Sequence, residues 1–248
     1  MPEKRPKAAQ AMRGAEGENR RIVYGRRQGH KLHPRQQKLV DDLLPQRRPD
    51  LTAPDAPAGW FAQPYDAYAL EIGFGGGEHL AARAKADRHI GHIGCEPFIN
   101  GVAKLLIDIE RDDLTNVAVH DEDARPLMAA LPDQCLAAAY LLYPDPWPKK
   151  RHNKRRFINR ENLDALFRIL RPGAAFLVAS DIADYLDWTL VHMRAHGGFA
   201  WQAASSADWL DPPEGWAGTR YEAKAQRAGR RAGYLHFVRR DTQSPGFL

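Results

Sequence analysis

Ala67-Tyr68-Ala69-Leu70-Glu71-Ile72-Gly73-Phe74-Gly75-Gly76-Gly77-Glu78 decides how the rest of the chain is read. Its first six residues are apolar enough for a buried strand, and the glycines make a turn. A helical pattern then runs on to about residue 86. The same alternation continues downstream. Strands are expected over 90–95, 117–120, 135–142 and 174–179, with helices over 98–109, 125–131, 157–170 and 182–195. Arg171-Pro172-Gly173 is expected to stop the helix before the fifth strand. From residue 199 the pattern suggests two strands separated by a long basic loop. Upstream, a short helix is expected over 34–44, followed by a proline-rich irregular connector over 45–66. Strand and helix in strict alternation imply an α/β fold with a doubly wound, parallel sheet.

Such sheets bind ligands beyond the carboxyl ends of their strands. Glu71, Glu96, Asp123, Asp145 and Asp181 fall near five successive strand ends, a recurrence that packing does not explain. The glycine turn narrows the ligand. A dinucleotide fingerprint needs its third glycine at position 78, which is Glu78. A carboxylate at that helix start also repels a pyrophosphate, and no Gly-Lys-Ser/Thr follows to make a P-loop. An acid followed by spaced glycines suits a ligand that carries positive charge, such as a sulfonium or an amino group. Glu96 fits a residue that accepts from two ribose hydroxyls, and Asp123-Ala124 fits a contact to an adenine edge.

A second stretch adds the substrate. Tyr143-Pro-Asp145-Pro-Trp147-Pro-Lys149-Lys-Arg-His-Asn-Lys-Arg-Arg156 holds an acid between two prolines, beside an aromatic ring and six basic residues. A carboxylate next to a ring suits a nucleobase, and a cationic strip suits a phosphate backbone. Trp147 could stack on a base or pack beneath its own loop. The chain has a net charge of +5, distributed in blocks. Residues 1–38 carry eleven Lys/Arg against three acids, and residues 219–240 carry seven against one. Basic blocks around a near-neutral middle form a footprint for a polyanion.

Residues Pro144 to Arg156, with Ala179-Ser-Asp181 and Thr219-Arg-Tyr-Glu222, resemble the signature motifs of the bacterial tRNA (guanine-N7-)-methyltransferases. The resemblance runs from about residue 21 to 239. It implies a Rossmann-like class I methyltransferase sheet, mostly parallel with an antiparallel C-terminal strand. It also implies S-adenosylmethionine as cofactor and methyl transfer to N7 of a variable-loop guanosine. Carried over by residue, it puts Glu71, Gly73, Gly75, Gly77, Glu96, Asp123, Ala124 and Asp145 at the cofactor, with Asp145 also the catalytic position. Lys149, Asp181, Thr219, Arg220, Tyr221 and Glu222 would meet the substrate nucleotide. Arg151, His152, Asn153, Lys154, Arg155 and Arg156 would contact RNA. Tyr143, Arg220, Tyr221 and Lys224 depart from the family's commoner residues, and Lys224 cannot make the bidentate contact of an arginine.

Length and composition bound the remainder. A chain of 248 residues with 44% hydrophobic content suits one large domain, taken as 39–241, with a basic disordered arm at 1–38 and a tail at 242–248. The arm is expected to order on tRNA. No apolar run approaches the roughly 20 residues that span a bilayer, and the first ten residues lack a signal-peptide core. Cys95 and Cys135 read as free buried thiols of a cytoplasmic protein. No His/Cys cluster has metal spacing, so no metal is expected, and no protein partner is required. The sequence leaves monomer and homodimer equally open. A non-catalytic RNA-binding module would share the charge blocks without needing acids at strand ends. A nicotinamide oxidoreductase would share the sheet but conflicts with Glu78. Among methyltransferases, the alternative is an exocyclic amine acceptor.

Overall fold

The computed structural model describes residues 27–242. Seven strands form one sheet: β1 (Ala67–Ile72), β2 (Ile90–Cys95), β3 (Val117–His120), β4 (Leu136–Leu142), β5 (Leu170–Ser180), β6 (Phe199–Trp201) and β7 (Gly233–Arg239). The helices are α1 (Pro34–Asp42), α2 (Leu44–Arg47), α3 (Glu78–Ala86), α4 (Ile99–Arg111), α5 (Ala124–Ala130), α6 (Arg160–Ile169), α7 (Ala183–His196), α8 (Ala207–Leu210) and α9 (Arg220–Arg227). Strand order is β3-β2-β1-β4-β5-β7-β6. The first five strands pair in parallel, and β7 runs antiparallel to both β5 and β6. The order reverses between β1 and β4, which places the switch point at the end of the strand that carries the glycine turn.

Strand alternation sends side chains into two apolar layers. Leu70, Ile72, Ile93, Leu141, Phe176 and Val178 pack with Leu127 of α5, Leu163 and Leu166 of α6, and Tyr185 of α7. On the opposite face Val117 and Val119 pack with Leu80 of α3 and Val102, Leu105 and Leu106 of α4. Helix α1 extends this second layer through Leu39. The boundary set at residue 38 therefore falls inside α1, and the chain before it also docks. Ile99 N–H donates to the Arg27 carbonyl at 3.0 Å, and Asn100 bridges Gly29 and His30. The rest of the expected arm and nearly all of the expected tail lie outside the described residues.

Two expectations are revised. The region between β6 and β7 is not one basic loop, since α9 forms within it. Thr219 caps α9 by accepting from Glu222 N–H at 3.1 Å, and Glu222 and Ala225 bury its inner face. Thr219-x-x-Glu222 has the form of a capping box, so the signal was present in the chain. The helix expected over 157–170 starts at Arg160, where Asn159 accepts from Asn162 N–H. It ends at Ile169 because Leu170 already pairs with Leu136 across a register shift in β4. Arg171-Pro172-Gly173 thus lies in the long β5 strand at this bulge, where a missing proline donor is tolerated.

Both cysteines are free; Cys95 is buried in β2, while Cys135 is half-buried just ahead of β4. Burial pushes the Cys95 thiol well above its usual range and Cys135 to about 11, so neither is a nucleophile at neutral pH. Among the described residues no helix is long and apolar enough to cross a membrane, and no group of ligating side chains could hold a metal ion.

Candidate active site

A cleft of about 430 Å³ opens at the carboxyl ends of β1, β2 and β4. Ile72, Gly73, Gly75, Glu96, Phe98, Leu141, Tyr143, Asp145, Trp147, Arg155 and Tyr221 line it. Gly73 and Gly75 have φ of 69° and 59°, a region that L residues rarely enter. A Cβ on Gly75 would stand 2.8 Å from the Tyr221 ring. Gly101 was not singled out in the sequence, yet it decides how closely α4 approaches the turn. A Cβ there would meet the Gly75 carbonyl oxygen at 1.9 Å. The usable signal was a glycine inside an otherwise apolar helical pattern.

Glu96 ties this cradle together. One carboxylate oxygen accepts from Gly75 N–H at 2.8 Å and the other from Phe98 N–H at 2.9 Å. Burial raises its carboxyl, and the two backbone bonds oppose that rise. Each oxygen keeps a further acceptor position, so the group can also receive two hydroxyls from a ligand.

Asp145 stands on the opposite wall, in a turn held by unusual backbone. Tyr143 and Trp147, on either side of Pro144-Asp145-Pro146, have φ of 50° and 43°. Left-handed backbone at bulky residues costs roughly 1–3 kcal/mol each and collects at functional sites. More than a third of the Asp145 surface stays open to solvent, yet the surrounding cleft wall desolvates its carboxyl enough to raise it. Two carboxylates facing one glycine-lined cleft make a field that favours a cationic ligand.

The structure separates the other expected site residues. Glu71 does not reach the cleft. Its position on β1 points it to the α3 face, where it is 2% exposed and bonded to His79 Nδ1 at 2.7 Å. Gly77, with φ 83°, begins α3 and packs against Leu105 instead of lining the cleft. Asp123 caps α5, and Arg125 engages both of its oxygens. Ala124 belongs to the core. Asp181 receives Arg230 Nε at 2.6 Å. Arg220 lies over the Tyr221 ring at 5.3 Å and faces Glu78 at 3.6 Å. Tyr221 is 44% exposed at the cleft rim.

Glu222, expected at the substrate nucleotide, is 7% exposed and accepts from Trp216 Nε1 at 2.6 Å and from the Tyr234 hydroxyl. Glu222→Ala should strand two donors and cost about 2–3 kcal/mol. Denaturant unfolding checks this; an unchanged midpoint and slope would contradict it.

The basic strip is also divided. Lys149, Lys150, Arg151 and Lys154 are exposed, and His152 and Asn153 are half-buried on the 3-10 turn Lys150–Arg155. Partial burial, then the charges of Arg155, Arg151, Lys149 and Lys154, lower His152 from its ordinary value. The Arg155 guanidinium lies over the Trp147 ring at 4.9 Å, and His152 meets that ring edge-on at 5.9 Å. Arg156, expected at the RNA, is 1% exposed and cannot reach it.

A family profile described as "Putative methyltransferase" matches residues 66–234. The fold is shared with the solved structure of the 16S rRNA methyltransferase KamB, at a TM-score of 0.52 and 16% identity, over 71% of this chain and 89% of that one. The profile spans more than half of the chain and makes it a methyltransferase, with S-adenosylmethionine as its cofactor. Relatives narrow the class. The chain is 53% identical over 220 residues to the tRNA (guanine-N(7)-)-methyltransferase of Mesorhizobium japonicum, covering 88% of this chain and 94% of that protein. It is 52% identical over 219 residues to that of Brucella melitensis, with the same coverage. The chain belongs to the tRNA (guanine-N(7)-)-methyltransferase family.

Proposed function

We propose that this enzyme methylates N7 of a guanosine in the variable loop of tRNA, in the cytoplasm, with Asp145 as its catalytic residue. The observation that carries the reading is the Asp145 turn, pinned between two left-handed residues and presented to a cleft whose far wall is Glu96 and the glycine cradle. Gly73, Gly75 and Glu96 hold the cofactor, Glu96 through the ribose hydroxyls. When bound, S-adenosylmethionine supplies a methyl on a positively charged sulfur, and the sulfur keeps the electron pair of the bond that breaks.

Guanine N7 carries an in-plane lone pair at neutral pH, so no residue has to remove a proton. The work of the chain is alignment and exclusion of water. Asp145 accepts from donor groups of the guanine and fixes the ring. Its negative charge also favours the positive purine ring that forms as the N7 lone pair becomes the new N–CH3 bond. Tyr221, at the rim, closes the base in from the α9 side. The exposed cations Lys149, Lys150, Arg151 and Lys154 take the phosphates.

Methyl transfer from labelled S-adenosylmethionine to unmodified tRNA, followed by borohydride and aniline, tests this reading. Cleavage at one variable-loop guanine is the expected result. Label without cleavage would replace N7 with an exocyclic amine, and tRNA binding without label would leave a binding module. Replacing Lys150, Arg151 and Lys154 with Ala should weaken tRNA binding and lower its salt slope by about 1 per lost phosphate contact. Filter binding at several salt concentrations reads both; an unchanged slope would remove the strip from the RNA interface.

A further inference from the structure

We propose that Arg156 is a positioning residue, whose buried guanidinium fixes the turn bearing Asp145 and so sets where that carboxylate stands. The inference rests on Asp145 being the residue that meets the guanine.

A guanidinium is buried only where partners replace water. Arg156 ends a run of six bases but, unlike Arg151 and Lys154, it turns inward and is 1% exposed. Its Nε donates to the Pro146 carbonyl at 2.9 Å, and Nη2 pairs with Asp184 in the first turn of α7. The flat face rests against Trp188 at 4.9 Å and Tyr185 at 5.6 Å, both from α7. Nη1 has no hydrogen-bond partner, so the group is committed to these contacts alone.

What it holds has few other handles. Pro144 and Pro146 have no N–H, so carbonyl oxygens are the main backbone groups by which this turn can be gripped. Tyr143 and Trp147 sit in left-handed backbone, a conformation that persists only when its surroundings impose it. Arg156 grips the carbonyl one residue beyond Asp145. Asp184 lies three residues beyond Asp181, at the end of β5. One guanidinium therefore ties the β4 turn that bears Asp145 to the first turn of α7, which follows β5. Lysine keeps the charge but lacks the planar fork that reaches both acceptors at once.

The test is Arg156→Lys and Asp184→Asn in the full-length enzyme, with Arg151→Ala/Lys154→Ala as the RNA-contact comparison. A displacement of the turn on the order of 1 Å predicts a fall in kcat of about 10- to 100-fold for Arg156→Lys. The tRNA KM and its salt slope should stay as in the parent. Asp184→Asn should lower kcat in the same direction by a smaller factor. Asp184 is 71% exposed and its Asn replacement keeps an oxygen that can accept from Nη2, so Asp184→Asn is the milder variant and carries the test if Arg156→Lys fails to fold. Normal kcat well below a lowered melting temperature would overturn the proposal in favour of a purely structural role. A raised tRNA KM with a reduced salt slope would overturn it in favour of an RNA contact. Normal turnover in Asp145→Ala would instead remove the reading beneath it, which separates the two failures.

Discussion

Asp145→Ala should lower turnover by a factor of about 100 or more. The size follows from two lost effects, the orientation of the guanine and the charge that favours its cationic form. Removing one preorganised electrostatic group commonly costs about 10²–10³ in kcat. The same variant should not weaken the fold. Desolvation raises the Asp145 carboxyl, so the folded state binds its proton more tightly than the unfolded chain does. The stability it contributes is present below the unfolded pKa and is lost as pH rises through the folded one. At neutral pH the ionised group is a burden on the fold, and Asp145→Ala or Asp145→Asn should melt no lower than the parent. Activity has the opposite dependence, because catalysis needs the ionised form. Turnover should therefore fail on the acid side at a higher pH than an ordinary aspartate would impose. Single-turnover rates across pH, beside thermal melts of the variants, measure both; near-normal turnover in Asp145→Ala would end the catalytic assignment.

Glu96→Ala should weaken S-adenosylmethionine binding by about 10- to 100-fold, the loss of one to two well-made hydrogen bonds to a charged acceptor. The cause is double. The ribose loses its acceptor, and Gly75 and Phe98 lose the carboxylate that holds their N–H groups. Glu96→Gln should also be damaging, since its amide oxygen can accept from only one backbone donor and its NH2 then faces the other. The buried carboxyl is raised, so cofactor affinity should also fall as acidification reaches it. Calorimetric titration with S-adenosylmethionine at several pH values reads this directly. Parent-like affinity in Glu96→Ala would place the ribose elsewhere in the cleft. Asp123, whose half-buried carboxylate already serves Arg125 and the α5 N-terminus, is the comparison, and its loss should weaken cofactor binding less.

What the chain determined by itself was its linear order: apolar strands alternating with helices, a glycine turn after the first strand, and a rigid Pro-Asp-Pro turn after the fourth. These are local properties, set by backbone freedom and by the period of apolar residues, so they can be read without knowing what lies nearby. The cradle of Gly73, Gly75 and Glu96, with Asp145 opposite, followed from that order because each lies at a strand end. Tertiary structure alone decided which charged groups face a ligand and which serve the protein. Glu71 and Glu222 share the chemistry of Glu96, and Arg156 shares that of Arg151. Strand parity turns Glu71 toward His79, the α9 cap turns Glu222 toward Trp216 and Tyr234, and the α7 aromatics draw Arg156 inward. A charge is buried or displayed according to partners brought together from distant parts of the chain, and no local pattern records where those partners will be.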